Sequence, residues 1–211
     1  MDTSAMKPFY GFVKRVLDMV ISALALIVLA LPMLVIALLV RRDGGRAIYA
    51  QARVGKNGKT FHIYKFRSMK PNAERLEDFL TPEELAEYKK EYKLAHDPRI
   101  TRIGNILRKS SLDELPQLIN ILRGDMSLVG PRPLLASELK GNYTEEEQKR
   151  LLSVRPGLTG YWQAAFRNES SYQTGDRQQQ ELYYIGRVTF AMDVKILFMT
   201  VKRVFSGKGA V

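Results

Sequence analysis

Cysteine is absent from the 211 residues, which removes disulfides, thiolate nucleophiles and cysteine-built zinc sites together. Histidine is nearly absent: His62 and His96 stand alone, too few for a histidine-rich metal cage. Negative charge is scarce, with 22 acidic residues against 33 Lys and Arg and a net charge of +11. The chain also has no Walker A loop and no G-x-G-x-x-G, and its elements follow no βαβ rhythm, which argues against a doubly wound nucleotide fold. Zinc-finger spacing, an RNP-like aromatic strand and a helix-turn-helix are missing as well, so no nucleic-acid partner is expected. Internal repeats and low-complexity linkers are not found either.

What is present suits one domain of ordinary size plus a membrane element. A hydrophobic fraction of 45% supports a packed core rather than disorder. The excess of positive charge calls for an anionic partner, whether lipid head groups or nucleotide phosphates.

Residues 19–40 contain no charge and are long enough to enter a bilayer. This run is longer than the apolar core of a secretory signal and no A-x-A cleavage site follows it, so it is read as retained. Cations flank it on both sides, Lys14 and Arg15 before it and Arg41, Arg42 and Arg46 after it. A spanning helix normally concentrates Lys and Arg on one flank. Pro32 removes a backbone donor and can divide the run into two pieces too short to cross about 30 Å of hydrocarbon. A helix that breaks and returns to the same face explains both facts; a single kinked spanning helix stays open. Asp18 is expected at the interface or paired with Lys14 or Arg15. Residues 190–205 read as a basic amphipathic helix, either lying among head groups or packed on the core.

Beyond the membrane run, residues 47–54 and 60–69 form an expected β-hairpin around Lys56-Asn57-Gly58. Alternation puts Lys65 and Arg67 on one strand face, where two cations can grip a phosphate or simply meet solvent. Thr81-Pro82-Glu83-Glu84 is a capping box opening a solvated helix to about residue 93. Asp97-Pro98-Arg99 is a loop leading to a helix over 103–109, and Thr144 with Glu147 caps another that stops at Arg155-Pro156-Gly157. The whole is an α+β chain, mainly helical with a small hairpin.

The densest chemistry is Ser111-Leu112-Asp113-Glu114-Leu115-Pro116-Gln117, followed by Gly130-Pro131-Arg132-Pro133. Pro116 suits the first turn of a helix that Gly124 should end, which places Asp113 and Glu114 at its positive end. Acidic residues there are ordinary caps. Here, however, Arg108 and Lys109 precede them, and Pro131 and Pro133 hold Arg132 between two restricted backbone angles. An arginine fork suits bidentate phosphate contacts. Carboxylate among cations is what phosphoryl transfer needs.

Those segments, with Lys65-Phe66-Arg67-Ser68-Met69, Gly124-Asp125-Met126-Ser127 and Arg155-Pro156-Gly157-Leu158-Thr159-Gly160, resemble the bacterial sugar transferases, the monotopic polyprenyl-phosphate phosphoglycosyl transferases. The likeness covers nearly the whole chain, to Gly207-Lys208-Gly209, and its length is that of the small members. It implies a re-entrant membrane helix over 1–46, broken near Pro32, and a catalytic domain over 47–211 on the cytoplasmic face of the inner membrane. It implies transfer of a sugar-1-phosphate from a UDP-sugar to undecaprenyl phosphate, release of UMP and a need for Mg²⁺. Asp113 would be the nucleophile and Glu114 its partner, either of them a metal ligand. Lys65, Arg67, Arg108, Arg132 and Arg167 would hold phosphate or substrate. Anionic lipids and a homo-oligomer are further implied partners. Departures fall in the last third, where Ala165-Phe166 precede Arg167-Asn168 and Gln180-Glu181 precede Tyr183-Tyr184-Ile185; these leave the donor sugar open. Trp162 and Tyr161 suit core packing better than base stacking. A membrane-anchored basic scaffold without catalysis would share the charge and the anchor, but would not need the ordered Asp-Glu and Pro-Arg-Pro motifs.

Overall fold

A computed structural model describes residues 8–42, 44–92, 94–166 and 170–206. Its longest element is helix α1, Pro8–Arg41, about 51 Å of helix at 1.5 Å per residue. Among the described residues it is the one helix long and apolar enough to cross a membrane. Ile27, Val28 and Leu31 leave 72%, 74% and 70% of their surface exposed, the reverse of a soluble core helix. Pro32 lies inside α1 rather than ending it, so the chain does not close one helix and start another there. The proline forfeits a single backbone bond, and the flanking turns carry the helix on.

One side of α1 is packed along its length. Near its start Arg15 donates to the carbonyls of Ile121 and Leu122, at 2.5 and 2.9 Å. Lys14 pairs with Asp193. Asp18 is buried and accepts the Leu128 N–H at 2.9 Å, so it holds backbone rather than pairing with Lys14 or Arg15. In the middle Ala25, Leu26 and Leu29 pack on Phe61, Ile63 and Ile121. At the far end Val40 is buried with Phe66 and Leu107.

The hairpin forms as expected: β1 (Ile48–Val54) pairs antiparallel with β2 (Thr60–Phe66). Asn57 and Gly58 turn the chain with φ of 56° and 77°, the left-handed conformation that Asn-Gly tolerates. Helix α2 (Pro82–Glu91) carries the full Thr81–Glu84 capping box. Helix α3 (Arg102–Ser110) is capped by Thr101, and α4 (Gln117–Arg123) ends on Gly124 in the left-handed region. Two short helices follow, α5 (Ala136–Asn142) and α6 (Glu145–Leu151). After them come α7 (Tyr161–Ala165), α8 (Asp176–Ile185) and α9 (Phe190–Ser206).

A second, unforeseen pairing joins β3 (Ser127–Val129) to β4 (Gly157–Thr159) in parallel. It brings two of the sequence motifs into backbone contact. A Cβ on Gly157 would fall 2.1 Å from the Gly130 nitrogen, and one on Gly160 2.2 Å from the Gly130 oxygen. The glycines are there because two main chains touch. Helix α9 resolves its two readings into two faces. Ile196 is fully buried, with Met192, Leu197 and Met199 on the core, while Phe190, Val194, Phe198 and Val201 stand in the open.

Candidate active site

Asp113 and Glu114 occupy a single 3-10 turn, Leu112–Glu114, wedged between α3 and α4. Ser111 enters it with φ of 57°, ending α3 in a left-handed step. The pair therefore precedes α4, which starts only at Gln117 with Pro116 before it, instead of capping that helix with its side chains. Beyond the turn, buried Asn120 fastens α4 to β2. Its side-chain oxygen accepts the Tyr64 N–H at 3.0 Å, and its amide donates to the His62 carbonyl at 2.7 Å. One residue thus ties α4, the helix that follows the carboxylate turn, to the strand that carries Lys65.

Asp113 is buried and lines a polar cavity of about 320 Å³. Lys65, Arg108 and Arg132 line the same cavity, so these expected cations and Asp113 do converge. Glu114 is held by Lys65, whose Nζ lies 2.6 Å from its Oε1. Asp113 thus lines the cavity, and Glu114 meets the Lys65 ammonium.

Arg67 also borders the cavity, but its guanidinium is committed elsewhere. It donates to the carbonyls of Arg46, Met69 and Val40 at 3.1, 3.0 and 2.8 Å, and to that of Gly44. These bonds bind the exit of α1 to the strand end. Arg167 lies outside the described residues.

Sequence reading missed part of the wall. Arg53 shares its strand face with Tyr49 and Gln51, and all three line the cavity; the period of two in β1 was the signal. Arg53 donates to Glu138 at 3.0 Å and to the Pro133 carbonyl at 3.3 Å, while Glu138 accepts the Leu135 N–H at 2.8 Å. Together they clamp the Pro-Arg-Pro turn. Arg99, read only as part of a loop, is buried against Asp97 and lies over Tyr88. Tyr88 and Tyr92 reach the cavity too, so α2 is more than a solvated helix.

Behind Arg132 stands Glu181, which is buried and accepts the Arg132 N–H with both oxygens at 3.3 Å. Burial pushes its carboxyl up to about 7, although the Arg177 charge and the Arg132 N–H both pull it down. Arg177 lies between the Trp162 and Tyr172 rings, 4.1 and 3.9 Å from their centroids. Trp162 is buried there as core, and Tyr161 stacks on Tyr183.

The family model for bacterial sugar transferases matches residues 9–207. The undecaprenyl-phosphate galactose phosphotransferase of Salmonella typhimurium is 45% identical over 94% of this chain, which spans 42% of that protein. The exopolysaccharide production protein ExoY of Sinorhizobium fredii is 42% identical, covering 99% of this chain and 92% of its own length. The UDP-N-acetylgalactosamine-undecaprenyl-phosphate N-acetylgalactosaminephosphotransferase of Aeromonas hydrophila is 32% identical over 96% of this chain and 46% of its own. The chain thus spans less than half the length of several curated relatives that it matches. A match over almost every residue, taken with the converging Asp113, Lys65, Arg108 and Arg132, shows that this chain belongs to the bacterial sugar transferase family.

Proposed function

We propose that this protein transfers a sugar-1-phosphate from a UDP-sugar to undecaprenyl phosphate, by way of a covalent intermediate on Asp113. The observation that carries the reading is a buried aspartate on a polar cavity walled by Lys65, Arg108 and Arg132. The printed names of the Salmonella and Aeromonas relatives supply the substrate classes. A scaffold that merely binds anions would not need a carboxylate among those cations.

In the first half-reaction a carboxylate oxygen of Asp113 attacks the β-phosphorus of the donor. A P–O bond to aspartate forms, the bond to the bridging oxygen breaks, and UMP departs with that oxygen. Arg108 and Arg132 hold the diphosphate and offset its charge as the bridge breaks. Lys65 holds Glu114 beside the nucleophile. In the second half-reaction a phosphate oxygen of the acceptor attacks the same phosphorus. The bond to Asp113 breaks, the carboxylate is regenerated and a diphosphate-linked sugar forms.

The donor set fits magnesium of the kind that arrives with phosphates. That ion takes one or two carboxylates and fills its shell with substrate oxygens and water. Asp113 and Glu114 would hold it, and among the described residues no cluster of three or more acidic or imidazole groups offers a separate cage. When bound it would neutralise charge on the diphosphate.

The same-sided packing of α1 supports a monotopic placement on the cytoplasmic face. Lys14 and Val40 lie about 39 Å apart along the helix, and both ends touch the same domain. A spanning helix would carry that domain into the hydrocarbon.

The test is a panel of UDP-sugars offered to the purified protein with undecaprenyl phosphate and Mg²⁺, followed by UMP release. Mass spectrometry of protein quenched with donor but no lipid should show Asp113 heavier by one sugar phosphate. UMP release by Asp113→Asn at the wild-type rate would reject the mechanism.

A further inference from the structure

A second cavity, of about 240 Å³, lies on the opposite side of the carboxylate turn and is lined mainly by apolar atoms. Glu114 and Leu115 line it together with Leu128 and Leu158 from the β3–β4 pair and Leu197 and Val204 of α9. The polar cavity includes Asp113 and Lys65 but not Glu114, and the apolar cavity includes Glu114 but neither Asp113 nor Lys65. The Lys65–Glu114 ion pair therefore stands between a cavity rich in charged side chains and a mainly apolar one.

The apolar chamber adjoins an exposed apolar stripe of α9. Val204 is on its lining and 53% exposed, and Val201 and Phe198 continue the open apolar stripe along α9. Two cations, Lys109 and Arg203, also reach the lining. Apolar walls, a mouth on the exposed stripe and positive charge near the carboxylate turn together describe the complement of a prenyl phosphate. At 240 Å³ the chamber is below the roughly 300–1,000 Å³ of sites that enclose a whole small molecule. It suits the first isoprene units of a long chain whose remainder stays in the bilayer.

Resting on the reading above, we infer that the α9–β4 groove is the acceptor site and takes the phosphate-proximal end of the polyprenyl chain. The two substrates then approach the carboxylate turn, Leu112–Glu114, from its two sides. The donor enters from the polar chamber and the lipid phosphate from the apolar one. Lys109 and Arg203 draw in the acceptor phosphate, and Leu158, Leu197 and Val204 grip the chain.

The experiment separates the two half-reactions. Val204→Asp puts a charge at the mouth, and Leu197→Trp fills the chamber. Both should raise the acceptor KM at least tenfold, while the single burst of UMP formed without lipid keeps its amplitude within twofold. Equal losses in both half-reactions, or no change in the acceptor KM, would overturn the assignment. A second measurement does not depend on turnover. A prenyl phosphate carrying a diazirine on its second isoprene unit, in detergent micelles, should label α9 and β4 on irradiation. Labelling confined to the exposed face of α1 would overturn the assignment. Absence of the UMP burst in the wild-type protein would instead reject the donor chemistry, and would leave the labelling result to decide the groove.

Discussion

Lys65 and Glu114 are separated by 49 positions in the chain and by 2.6 Å in space. The contact joins the hairpin to the carboxylate turn, and both side chains are mostly shielded, at 23% and 15% exposed. Lys65→Met should remove the ammonium that holds Glu114. Stability should fall by about 1–3 kcal/mol, and single-turnover UMP release by about 100-fold. Rapid-quench kinetics beside a thermal melt separate the two effects. Lys65→Arg should recover part of the rate.

Glu181 should give the fold a pH signature. Its carboxyl titrates near 7 in the folded chain and near 4.5 unfolded, so the folded state holds the proton more tightly. Its contribution is complete below 4.5 and is lost as pH rises toward 7, since the unfolded chain binds fewer protons in that window. The loss amounts to about 3 kcal/mol. Denaturant titrations at pH 4.5 and 7.5 should show the decline, and Glu181→Gln should flatten it.

Gly157→Ala should be costly although alanine is small. The added methyl would meet the Gly130 nitrogen at 2.1 Å, where backbone cannot yield without parting β3 from β4. A loss of about 3 kcal/mol or more is expected, read as a melting temperature lower by about 6–12 °C. Alanine at Gly141, whose nearest neighbour would be the Tyr92 hydroxyl at 3.8 Å, should meet no such clash.

The one-sided contacts of α1 predict its topology. Reporters fused ahead of residue 1 and after residue 211 should both read the cytoplasm in intact cells. Arg15→Met, which removes the bonds to Ile121 and Leu122, should destabilise the protein by about 2 kcal/mol. A periplasmic signal from the N-terminal reporter would restore the spanning helix.

Local chemistry made much of this structure readable in advance. Thr81, Thr144 and Asn57-Gly58 act within a few residues of themselves, so caps and hairpin could be placed from the chain alone. The convergence of Asp113, Arg108, Arg132 and Lys65 was legible as a set of motifs. What stayed hidden depends on partners far along the chain. Asp18 reads as an interfacial acid until Leu128 is beside it, and the bonds of Arg67 to Val40 and Gly44 join segments more than twenty residues apart. The β3–β4 pair is only three residues on each side, too short for any periodic signal. Glu181 looked like a mere departure in sequence, and only its burial under Arg132 gives it a task.

The hydrophobic helix at the start of the chain is also masonry. Val40 shares a buried cluster with Phe66 and Leu107, and Leu26 and Leu29 roof the one containing Phe61 and Met126. Cutting at residue 46 to obtain a water-soluble enzyme would strip that roof away. Maturation of the catalytic half and delivery to lipid are consequently a single event: the interior cannot seal until the greasy segment has docked.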